Sequence, residues 1–389
     1  MRVTELQAIQ VRIPFKRAFR HASYTRTSTD NVVIRCVLEN GTIGFGEGVP
    51  REYVTGETID SAFELLKRSD LKSQLSDCAD FTAAVAMAER LQLAPIPGDD
   101  RKCQGNGARC AVELAVLDAH GRHFGQSLSR VVQLLAPDLF EPKAEVRYSS
   151  AVTSGSTGFK TRLKALAMWA YGFHQLKVKV GVAGQDDVGR LSAIRKGVGR
   201  KMDIRIDANE AWPAAEAARK ITELKPFNIS CVEQPSAHEE TCHFAEIRRQ
   251  TGLPIMLDES LCGMVDAERA VAGGWCDLFN IRLSKCGGFI ASLRLAQFAK
   301  RYGLGYQLGC QVGETAILSA AGRHFAASVK DLRYVEGSYD RHLVREALGT
   351  RDLTFGRGGK AAALMGGGLG IEIDTTALQR VTVRTETLA

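Results

Sequence analysis

The chain has 389 residues, of which 45% are hydrophobic and 24% are charged. This balance is typical of a folded globular protein and argues against a disordered chain. The length exceeds what one ordinary hydrophobic core occupies, so it predicts two domains. The net charge is +7, but the 51 Lys/Arg and 44 Asp/Glu residues are interspersed. No basic arm is present, so the charge pattern does not predict nucleic-acid binding.

Neither a membrane segment nor a secretory signal is expected. No apolar run approaches the roughly 18 residues of a membrane-spanning helix, and the first residues lack the apolar stretch of a signal peptide. Ten cysteines lie between Cys36 and Cys310 without a Cys-x-x-Cys pair. Such cysteines are typical of reduced thiols in a protein core. We therefore predict a cytoplasmic protein with no membrane partner.

The first domain, residues 1–140, has the pattern of an α+β unit. Three segments alternate apolar and polar residues in the manner of strands: 3–11, 31–37 and 43–47. Asn40-Gly41 predicts a hairpin between the last two. Thr58 is a candidate N-cap for a first helix, and a longer helix is predicted over 108–120.

The second domain, residues 141–350, repeats short strands, each followed by a helix-length segment. The eight predicted strands are 145–151, 174–180, 203–207, 230–233, 254–258, 277–282, 304–309 and 332–337. Eight such units predict a closed parallel barrel. An open doubly wound sheet is the alternative, and it is disfavoured because no Gly-x-Gly-x-x-Gly follows the first strand.

The tail, residues 351–389, is rich in glycine. A phosphate-binding loop is disfavoured because neither Lys-Ser/Thr nor a clear helix follows the glycines. The tail is therefore predicted to return to the first domain. The predicted fold class is α/β, with a (β/α)₇β TIM-like barrel and an α+β capping domain that the tail completes.

Charged residues end the predicted barrel strands, where the active site of such a barrel lies. On the second strand, Lys177 and Lys179 lie on one face, about 7 Å apart along the strand. Taken alone, such a pair is more often found in an exposed edge strand, and the next three strand ends reverse that interpretation. The next three strands end in Asp207, Glu233 and Asp258.

Three bare carboxylates at adjacent strand ends would repel one another, and a divalent cation removes that repulsion. Ligands that are all oxygen atoms favour Mg²⁺, with Mn²⁺ as a substitute, over Zn²⁺. Each acid alone could instead cap a helix. Lys285 follows the sixth strand, which lies opposite the second in an eight-stranded barrel. Lys179 and Lys285 are thus predicted to approach a substrate from two sides.

The ordered set Lys-x-Lys, Asp-x-Asn, Glu-x-Pro, Asp-Glu-Ser and Lys-x-Gly-Gly resembles the enolase superfamily, in particular its muconate-lactonising-enzyme subgroup. The mandelate-racemase branch is less similar, because the seventh strand here ends without its histidine. The resemblance implies metal binding by the three carboxylates and acid–base roles for Lys179 and Lys285. It also implies that Lys177 neutralises the substrate carboxylate and lowers the pKa of Lys179. Asn209, Glu259 and Gln311 are predicted to lie around these residues.

In this superfamily two capping loops and the eighth strand determine specificity. The resemblance places the loops at 18–26 and 50–55, and the candidate substrate contacts they contain are Arg20, Arg26, Arg51 and Tyr53. Dipeptide epimerases, which the loops resemble, carry Asp-x-Asp on the eighth strand for the substrate ammonium. Here Glu336 retains one carboxylate, Ser338 replaces the second, and Asp340 lies two residues further on.

The leading hypothesis is a Mg²⁺-dependent isomerase that removes the proton next to a substrate carboxylate through an enediolate. The favoured reaction is racemisation or epimerisation of dipeptides or N-acyl amino acids. Muconate or chloromuconate cycloisomerisation and an elimination of the o-succinylbenzoate synthase type are alternatives. A non-catalytic metal- or ligand-binding barrel is a distant one. The predicted partner is a small-molecule carboxylate, and relatives suggest a homo-oligomer.

Overall fold

The computed structural model describes residues 1–20, 25–153 and 158–389; the side chains of Phe19, Arg20 and Thr25 lie outside this description. The strands in these ranges are β1 (Val3–Arg20), β2 (Thr25–Leu38), β3 (Ile43–Gly48), β4 (Glu145–Arg147), β5 (Ser150–Val152), β6 (Gln175–Lys179), β7 (Asp203–Asp207), β8 (Ile229–Glu233), β9 (Ile255–Leu257), β10 (Leu278–Ile281), β11 (Gly305–Leu308), β12 (Leu332–Val335), β13 (Lys360–Ala362) and β14 (Thr382–Thr387).

Half of the fourteen α-helices in the same ranges lie between barrel strands. They are α1 (Glu52–Thr55), α2 (Ile59–Arg68), α3 (Phe81–Arg90), α4 (Asn106–His123), α5 (Arg130–Leu135), α6 (Gly158–Ala170), α7 (Asp187–Val198), α8 (Ala214–Leu224), α9 (Phe244–Thr251), α10 (Met264–Gly273), α11 (Phe289–Arg301), α12 (Ala316–Ser328), α13 (Asp340–Leu343) and α14 (Thr375–Val381).

The capping domain is built on an antiparallel sheet with the order β14-β1-β2-β3. Helix α4 lies directly on β3, whose sequence places glycine at every second position. A Cβ added to Gly46 would lie 2.0 Å from the carbonyl oxygen of Ala111. The glycines of β3 therefore allow the helix backbone to approach the strand backbone.

Two local predictions for the cap are confirmed. Gly41 has φ 82° in the turn between β2 and β3, and the Thr58 hydroxyl accepts a hydrogen bond from the Ser61 N–H at 3.0 Å. The long hairpin of β1 and β2 differs from the prediction, which ended these strands near residues 11 and 31. The strands continue because residues 11–16 still alternate between buried and exposed positions, and Arg12 pairs with Asp30 across the ladder at 2.8 Å.

The barrel sheet has the parallel order β5-β6-β7-β8-β9-β10-β11-β12. The Ser149 N–H donates to the carbonyl of Val335 at 2.8 Å, which joins the first strand region to the last. Seven α-helices of the described ranges, α6 to α12, connect the eight strands, and the four-residue α13 stands where an eighth barrel helix would follow β12. The predicted (β/α)₇β barrel is confirmed.

The first barrel strand, predicted over 145–151, is divided. Segment β4 pairs antiparallel with β13 of the tail, and only β5 pairs with β6. The division occurs at Tyr148, whose N–H donates to the carbonyl of Gly359 at 2.7 Å. The prediction of one continuous strand was wrong because it could not include this long-range pairing with the tail.

The tail returns to the capping domain, as predicted. Strand β14 pairs with β1, with Gln7 opposite Thr387. The Leu369 N–H donates to the buried carboxylate of Asp118 in α4 at 2.8 Å. Gly368 has φ +62°, and a Cβ there would lie 2.1 Å from an Asp118 oxygen, so the tight approach requires glycine. The domain boundaries near residues 140 and 350 stay a prediction.

Two further features bear on the sequence expectations. Within the described ranges, no helix is long and apolar enough to cross a membrane. The ten cysteines are free thiols, eight of them buried, and Cys242 is exposed.

Candidate active site

The predicted charged residues meet at the carboxyl ends of neighbouring barrel strands. Lys179 of β6 lies opposite Asp207 of β7, which lies opposite Glu233 of β8. Asp258 follows β9, and its N–H donates to the side-chain oxygen of Gln234 at 2.9 Å. The three carboxylates are almost completely buried. Parallel pairing thus brings together residues that are about 26 positions apart in sequence.

Lys177 lies at the centre of this carboxylate group. Its Nζ lies 3.2 Å from Asp207 Oδ2, 3.2 Å from Glu233 Oε1 and 2.9 Å from Glu336 Oε1. Burial would lower the pKa of Lys177, but its three carboxylate neighbours, Glu233 first, hold it well above the usual value. Lys177 is therefore a permanent cation at the site.

Asp258 is held by two cations from the loop that follows β10. Arg282 donates to its carboxylate, and Lys285 Nζ donates to its Oδ1 at 2.9 Å and to its carbonyl at 2.6 Å. Burial would raise the pKa of Asp258, but Arg282 and Lys285 bring it below the usual value. This carboxyl is therefore ionised.

Lys179 occupies the opposite side of the site. Its Nζ donates to Asn209 Oδ1 at 2.8 Å, and the Asn209 amide donates to Glu259 Oε1 at 3.4 Å. Burial, and then the charge of Asp258, raise the pKa of Glu259 well above the usual value. Asn209 thus contacts Lys179, and Glu259 contacts Asn209.

Strands β6 and β10 are separated by three strands along the sheet on one side, and by β11, β12 and β5 on the other. They therefore stand opposite each other in the barrel. Lys179 extends from the end of β6, while Lys285 lies four residues beyond the end of β10. The carboxylates of Asp207, Glu233 and Asp258 belong to the three strands between them.

The carboxylates have the chemistry of a divalent-cation site. In the described parts of the chain, no three Asp, Glu, His or Cys side chains already converge as a metal cluster, because Lys177, Arg282 and Lys285 each contact a carboxylate. Asp207 Oδ2 is buried and accepts no aligned hydrogen bond within those ranges, and its charged neighbour is Lys177 Nζ at 3.2 Å. Burial, and then repulsion by Asp207, raise the pKa of Glu233 to about 8. A hard cation satisfies such crowded oxygens, so the donor set fits Mg²⁺.

The capping domain holds the loop that carries Lys285. The Asn106 amide, at the start of α4, donates to the carbonyls of Lys285 and Cys262, both at 2.6 Å. The Val49 N–H, just after β3, donates to the Ser284 hydroxyl at 2.8 Å. The position of this lysine therefore depends on contacts with the cap.

The predicted substrate contacts of the capping segments occupy different environments. Arg51 is buried, and its guanidinium donates to the Thr29 hydroxyl at 2.7 Å and to the Val312 carbonyl at 2.8 Å. The Arg26 guanidinium lies over the ring of Tyr53, 5.4 Å from its centroid. The prediction for Arg20 falls on a side chain outside the described residues. Arg51 thus joins the cap to the barrel, whereas Arg26 and Tyr53 form a pair.

Three candidate substrate contacts follow the eighth strand, and one of them, Glu336, lies in the site. The other two, Ser338 and Asp340, form hydrogen bonds elsewhere in the structure. Glu336 contacts Lys177 at 2.9 Å. The Ser338 hydroxyl donates to Tyr148 Oη at 2.9 Å and accepts from Arg323 at 3.0 Å. Asp340 is buried and accepts from the Ser319 hydroxyl at 2.9 Å. Gln311 is also buried, and its amide has no hydrogen-bond partner among the described residues.

Three charged residues at or near the site were not predicted. Arg205 of β7 donates to Glu336 at 2.5 Å, and Arg282 contacts Asp258. Glu47 of β3 is buried and accepts from Asn31 and from the backbone of α12. A signal was available for Arg205, because a charge inside a parallel barrel strand requires a partner. None was available for Glu47, whose partners are distant in sequence.

Comparison with known families decides the classification. Residues 160–377, more than half of the chain, match the family model described as Enolase C-terminal domain-like.

This chain belongs to the enolase superfamily.

Relatives and solved structures refine this placement within the superfamily. The N-succinyl-L-Arg/Lys racemase of Bacillus cereus is 28% identical over 387 residues, which cover 98% of both chains. The crystal structure of the racemase of that name covers 100% of both chains, with a TM-score of 0.85 and 27% identity. A dipeptide epimerase from Cytophaga hutchinsonii, solved with Mg and the dipeptide D-Ala-L-Val, has a TM-score of 0.82, 25% identity and 100% coverage of both chains.

A muconate lactonizing enzyme from Mucobacterium Smegmatis shares the fold, with a TM-score of 0.82, 23% identity and coverage of 99% of this chain and 100% of its own. The predicted subgroup is confirmed. This member of the enolase superfamily is an isomerase, which confirms the predicted enzyme class. Its relatives are racemases and epimerases, which favours the leading hypothesis over the cycloisomerase.

Proposed function

We propose that this enolase-superfamily protein is a Mg²⁺-dependent racemase or epimerase that acts on N-acyl amino acids. The opposed positions of Lys179 and Lys285, with the carboxylate group between them, are the observation that carries the proposal. A 1,1-proton transfer needs one group that removes the proton from one face and another that returns it to the opposite face. The two lysines have this arrangement.

Asp207, Glu233 and Asp258 would hold the cation, and the relative solved with Mg supports Mg²⁺. Mn²⁺ is proposed as a substitute because it accepts the same oxygen ligands. When bound, the cation supplies positive charge that stabilises the enediolate. In the proposed mechanism, side chains of this protein carry out the proton transfer and neutralise the substrate carboxylate.

The proposed proton transfer uses neutral amine on one side and ammonium on the other. Lys179 Nζ removes the α-proton of one enantiomer, while Lys285 Nζ, buried and held by Asp258 and the Asn280 carbonyl at 2.9 Å, delivers a proton to the other face. For the opposite enantiomer the roles reverse. Lys177 neutralises the substrate carboxylate, which makes the α-proton more acidic.

The eighth strand supports an N-acyl substrate over a free dipeptide. A dipeptide ammonium requires a carboxylate with free capacity. Glu336 already contacts Lys177 at 2.9 Å and Arg205 at 2.5 Å. Burial opposes ionisation of Glu336, but Lys177 and Arg205 lower its pKa to about 2. Ser338, which stands where the second carboxylate would be, bonds Tyr148 instead. An uncharged amide nitrogen suits this surface better than an ammonium.

The test is NMR in D₂O with Mg²⁺, following α-proton exchange in N-succinylamino acids, dipeptides and muconate. Exchange with inversion in N-succinylamino acids supports the proposal. Exchange in dipeptides alone contradicts the argument from Glu336 but leaves the lysine mechanism intact. Lactone formation from muconate, without exchange in the other substrates, contradicts the proposed reaction.

We also propose a cytoplasmic location, a homo-oligomeric state and the division into residues 1–140, 141–350 and 351–389. The homo-oligomer is supported by an apolar face on α6, where Phe159 is 70% exposed, Trp169 is 54% exposed and Leu163 is 49% exposed. Exposed apolar side chains grouped on one surface are typical of protein–protein contacts. Sedimentation velocity of the wild-type protein and of Leu163→Glu tests this: a wild-type monomer contradicts it.

A further inference from the structure

Two buried thiols meet where the capping domain contacts the barrel. Cys103 lies just before α4 of the cap, and Cys262 lies in the barrel loop after β9, four residues beyond Asp258. Their exposed fractions are 3% and 0%. They form a small apolar cluster with Val54, against which Tyr53 packs. The pair therefore joins the second capping segment to the loop that carries a candidate metal ligand.

Each thiol donates to the backbone of the second capping segment, Cys103 Sγ to the Thr55 carbonyl at 3.7 Å and Cys262 Sγ to the Val54 carbonyl at 3.6 Å. The neighbouring thiol raises the pKa of Cys103 and lowers that of Cys262. Arg101 also donates to Cys262 Sγ at 3.4 Å. A guanidinium beside sulfur favours the nucleophilic thiolate. Cys262 is thus the thiol of the pair that is prepared to react.

Arg101 is fixed in this position by partners on the barrel. Its guanidinium donates to Asp266 Oδ2 at 2.9 Å and to the Glu259 carbonyl at 2.8 Å. The Cys262 N–H donates to the same Asp266 oxygen at 2.8 Å. One carboxylate therefore holds both the cysteine backbone and the arginine that contacts its sulfur.

We propose that Cys103 and Cys262 are an oxidative modification site at which hydrogen peroxide, or a peroxide of that class, forms a reversible disulfide. The bond would cross-link the cap to the loop bearing Asp258 and Glu259. Such a covalent modification goes beyond the proposed racemase activity. An S–S bond is about 2.0 Å long, so two thiols that share one small cluster and donate to adjacent carbonyls need only a local shift to form it.

One peroxide molecule accepts the two electrons that disulfide formation releases. The Cys262 thiolate attacks one peroxide oxygen, the O–O bond breaks, and the departing hydroxide takes up a proton as water. Cys103 sulfur then attacks the sulfenic sulfur, the S–O bond breaks, and a second water leaves with the proton of Cys103. Two thiols lose two electrons in total, and one peroxide is reduced to two waters.

The cross-link would restrict the cap at the active site. The Cys262 thiol contacts the Val54 carbonyl at 3.6 Å, and the Cys262 carbonyl accepts from Asn106, which also holds the Lys285 carbonyl. Because both thiols are buried, oxidation requires transient opening of the segment 50–56. The disulfide then ties the start of α4 in the cap to the barrel loop after β9, and movement of this part of the cap during substrate exchange slows.

The first test treats the full-length protein with hydrogen peroxide, blocks the remaining thiols by alkylation and identifies cross-linked peptides by mass spectrometry. The exposed Cys242 is an internal standard for oxidant reactivity, and Cys242→Ser removes links between molecules. A peptide joining Cys103 to Cys262 that disappears after dithiothreitol supports the proposal. The proposal is overturned if Cys242 is oxidised while Cys103 and Cys262 are both recovered as alkylated, unoxidised thiols. A link from Cys262 to Cys286 also overturns it.

The second test measures turnover and rests on the proposed function. Oxidised wild-type protein is expected to lose at least ten-fold in activity and to regain it with dithiothreitol, whereas Cys103→Ser and Cys103→Ala keep their activity. A disulfide that forms without changing turnover overturns the restriction of the cap. If no substrate is turned over, the proposed function fails, while the cross-linked peptide still decides the modification site.

Discussion

At the residue scale, the active site is a balance of buried charges. Lys177 contacts three carboxylates, and Asp258 contacts Arg282 and Lys285. Unpaired charges in a barrel interior would cost several kcal/mol each. Lys177, Asp258 and Lys285 each have an opposite charge within hydrogen-bond distance, so their burial is tolerated. Lys179 instead donates to the neutral amide oxygen of Asn209. The lysines of the proposed mechanism therefore differ in their partners rather than in their residue type.

Replacement of one lysine should separate the two faces of the reaction. Lys179→Met is expected to lower kcat for racemisation by about 10² to 10⁴. The enantiomer whose proton faces Lys285 should still exchange that proton with D₂O without inversion. NMR of each enantiomer measures both effects. Lys196→Met, at an exposed position on α7, is the control, and equal activity of both variants would contradict the role of Lys179.

His324 should make stability depend on pH. Its buried ring lies between the Ser129 hydroxyl and the Leu369 carbonyl, both at 3.0 Å, and burial lowers its pKa to about 4. Between pH 6.5 and 4 the unfolded chain takes up a proton that the folded chain does not. The His324 contribution is therefore complete above pH 6.5 and is lost as the pH falls, by up to about 1.4 kcal/mol per unit.

Urea unfolding at pH 7 and pH 5 measures this contribution. The wild-type protein should lose more unfolding free energy between these pH values than His324→Gln, which cannot titrate. The exposed His174 gives the control variant His174→Gln, whose pH dependence should equal that of the wild type. Identical curves for His324→Gln and the wild type would refute the prediction.

At the scale of elements, one buried carboxylate joins the cap to the barrel. Glu47 of β3 accepts from Asn31 at 2.6 Å, from the Thr315 N–H at 3.0 Å and from the Leu318 N–H at 3.1 Å. The last two groups belong to the N-terminal end of α12, whose free N–H groups need acceptors. Burial raises the pKa of Glu47 to about 7, despite these donors. A cap strand thus provides the acceptor that a barrel helix requires.

Glu47→Ala should destabilise the fold far more than the loss of a surface carboxylate. We expect the free energy of unfolding to fall by roughly 2–4 kcal/mol, because several buried donors lose their acceptor. Chemical denaturation measures the change. Glu5→Ala removes a partly exposed pair with Arg35 at 2.9 Å and should cost less than about 1 kcal/mol. Similar losses in both variants would show that Glu47 does not join the two domains.

At the scale of the whole molecule, the chain begins and ends in the same sheet. Strand β14 pairs with β1, and the Leu6 N–H donates to the carbonyl of Ala389 at 2.9 Å. Without β14, β1 would be an unprotected edge strand. The C-terminal segment therefore completes the cap.

Truncation after Val381 tests this closure. The variant should show a lower Tm, and the amides of β1 should exchange hydrogen faster because their partners on β14 are absent. Thermal unfolding and hydrogen exchange measure both effects. Val383→Thr changes an exposed side chain of β14 (52% exposed) but keeps the backbone, so it should leave both unchanged. Unaltered exchange in β1 after truncation would contradict the proposed closure.

Local sequence patterns were sufficient to predict the barrel and the order of its chemical groups. Strand alternation and the spacing of about 26 residues are local properties, and parallel strands place their carboxyl ends together. Lys179, Asp207, Glu233 and Lys285 could therefore be assigned to one end of the barrel from their positions in the chain. The resemblance to the enolase superfamily then implied their roles.

The pairing of the buried charges, in contrast, depends on the tertiary fold. Glu336 contacts Arg205, 131 residues earlier in the chain, and Ser338 contacts Tyr148, 190 residues earlier. The same holds for Arg51, whose guanidinium reaches Val312. No local pattern encodes these pairings, because hydrophobic periodicity fixes the face of a residue but not its partner on a distant element. The substrate preference that we propose for this isomerase rests on such pairings.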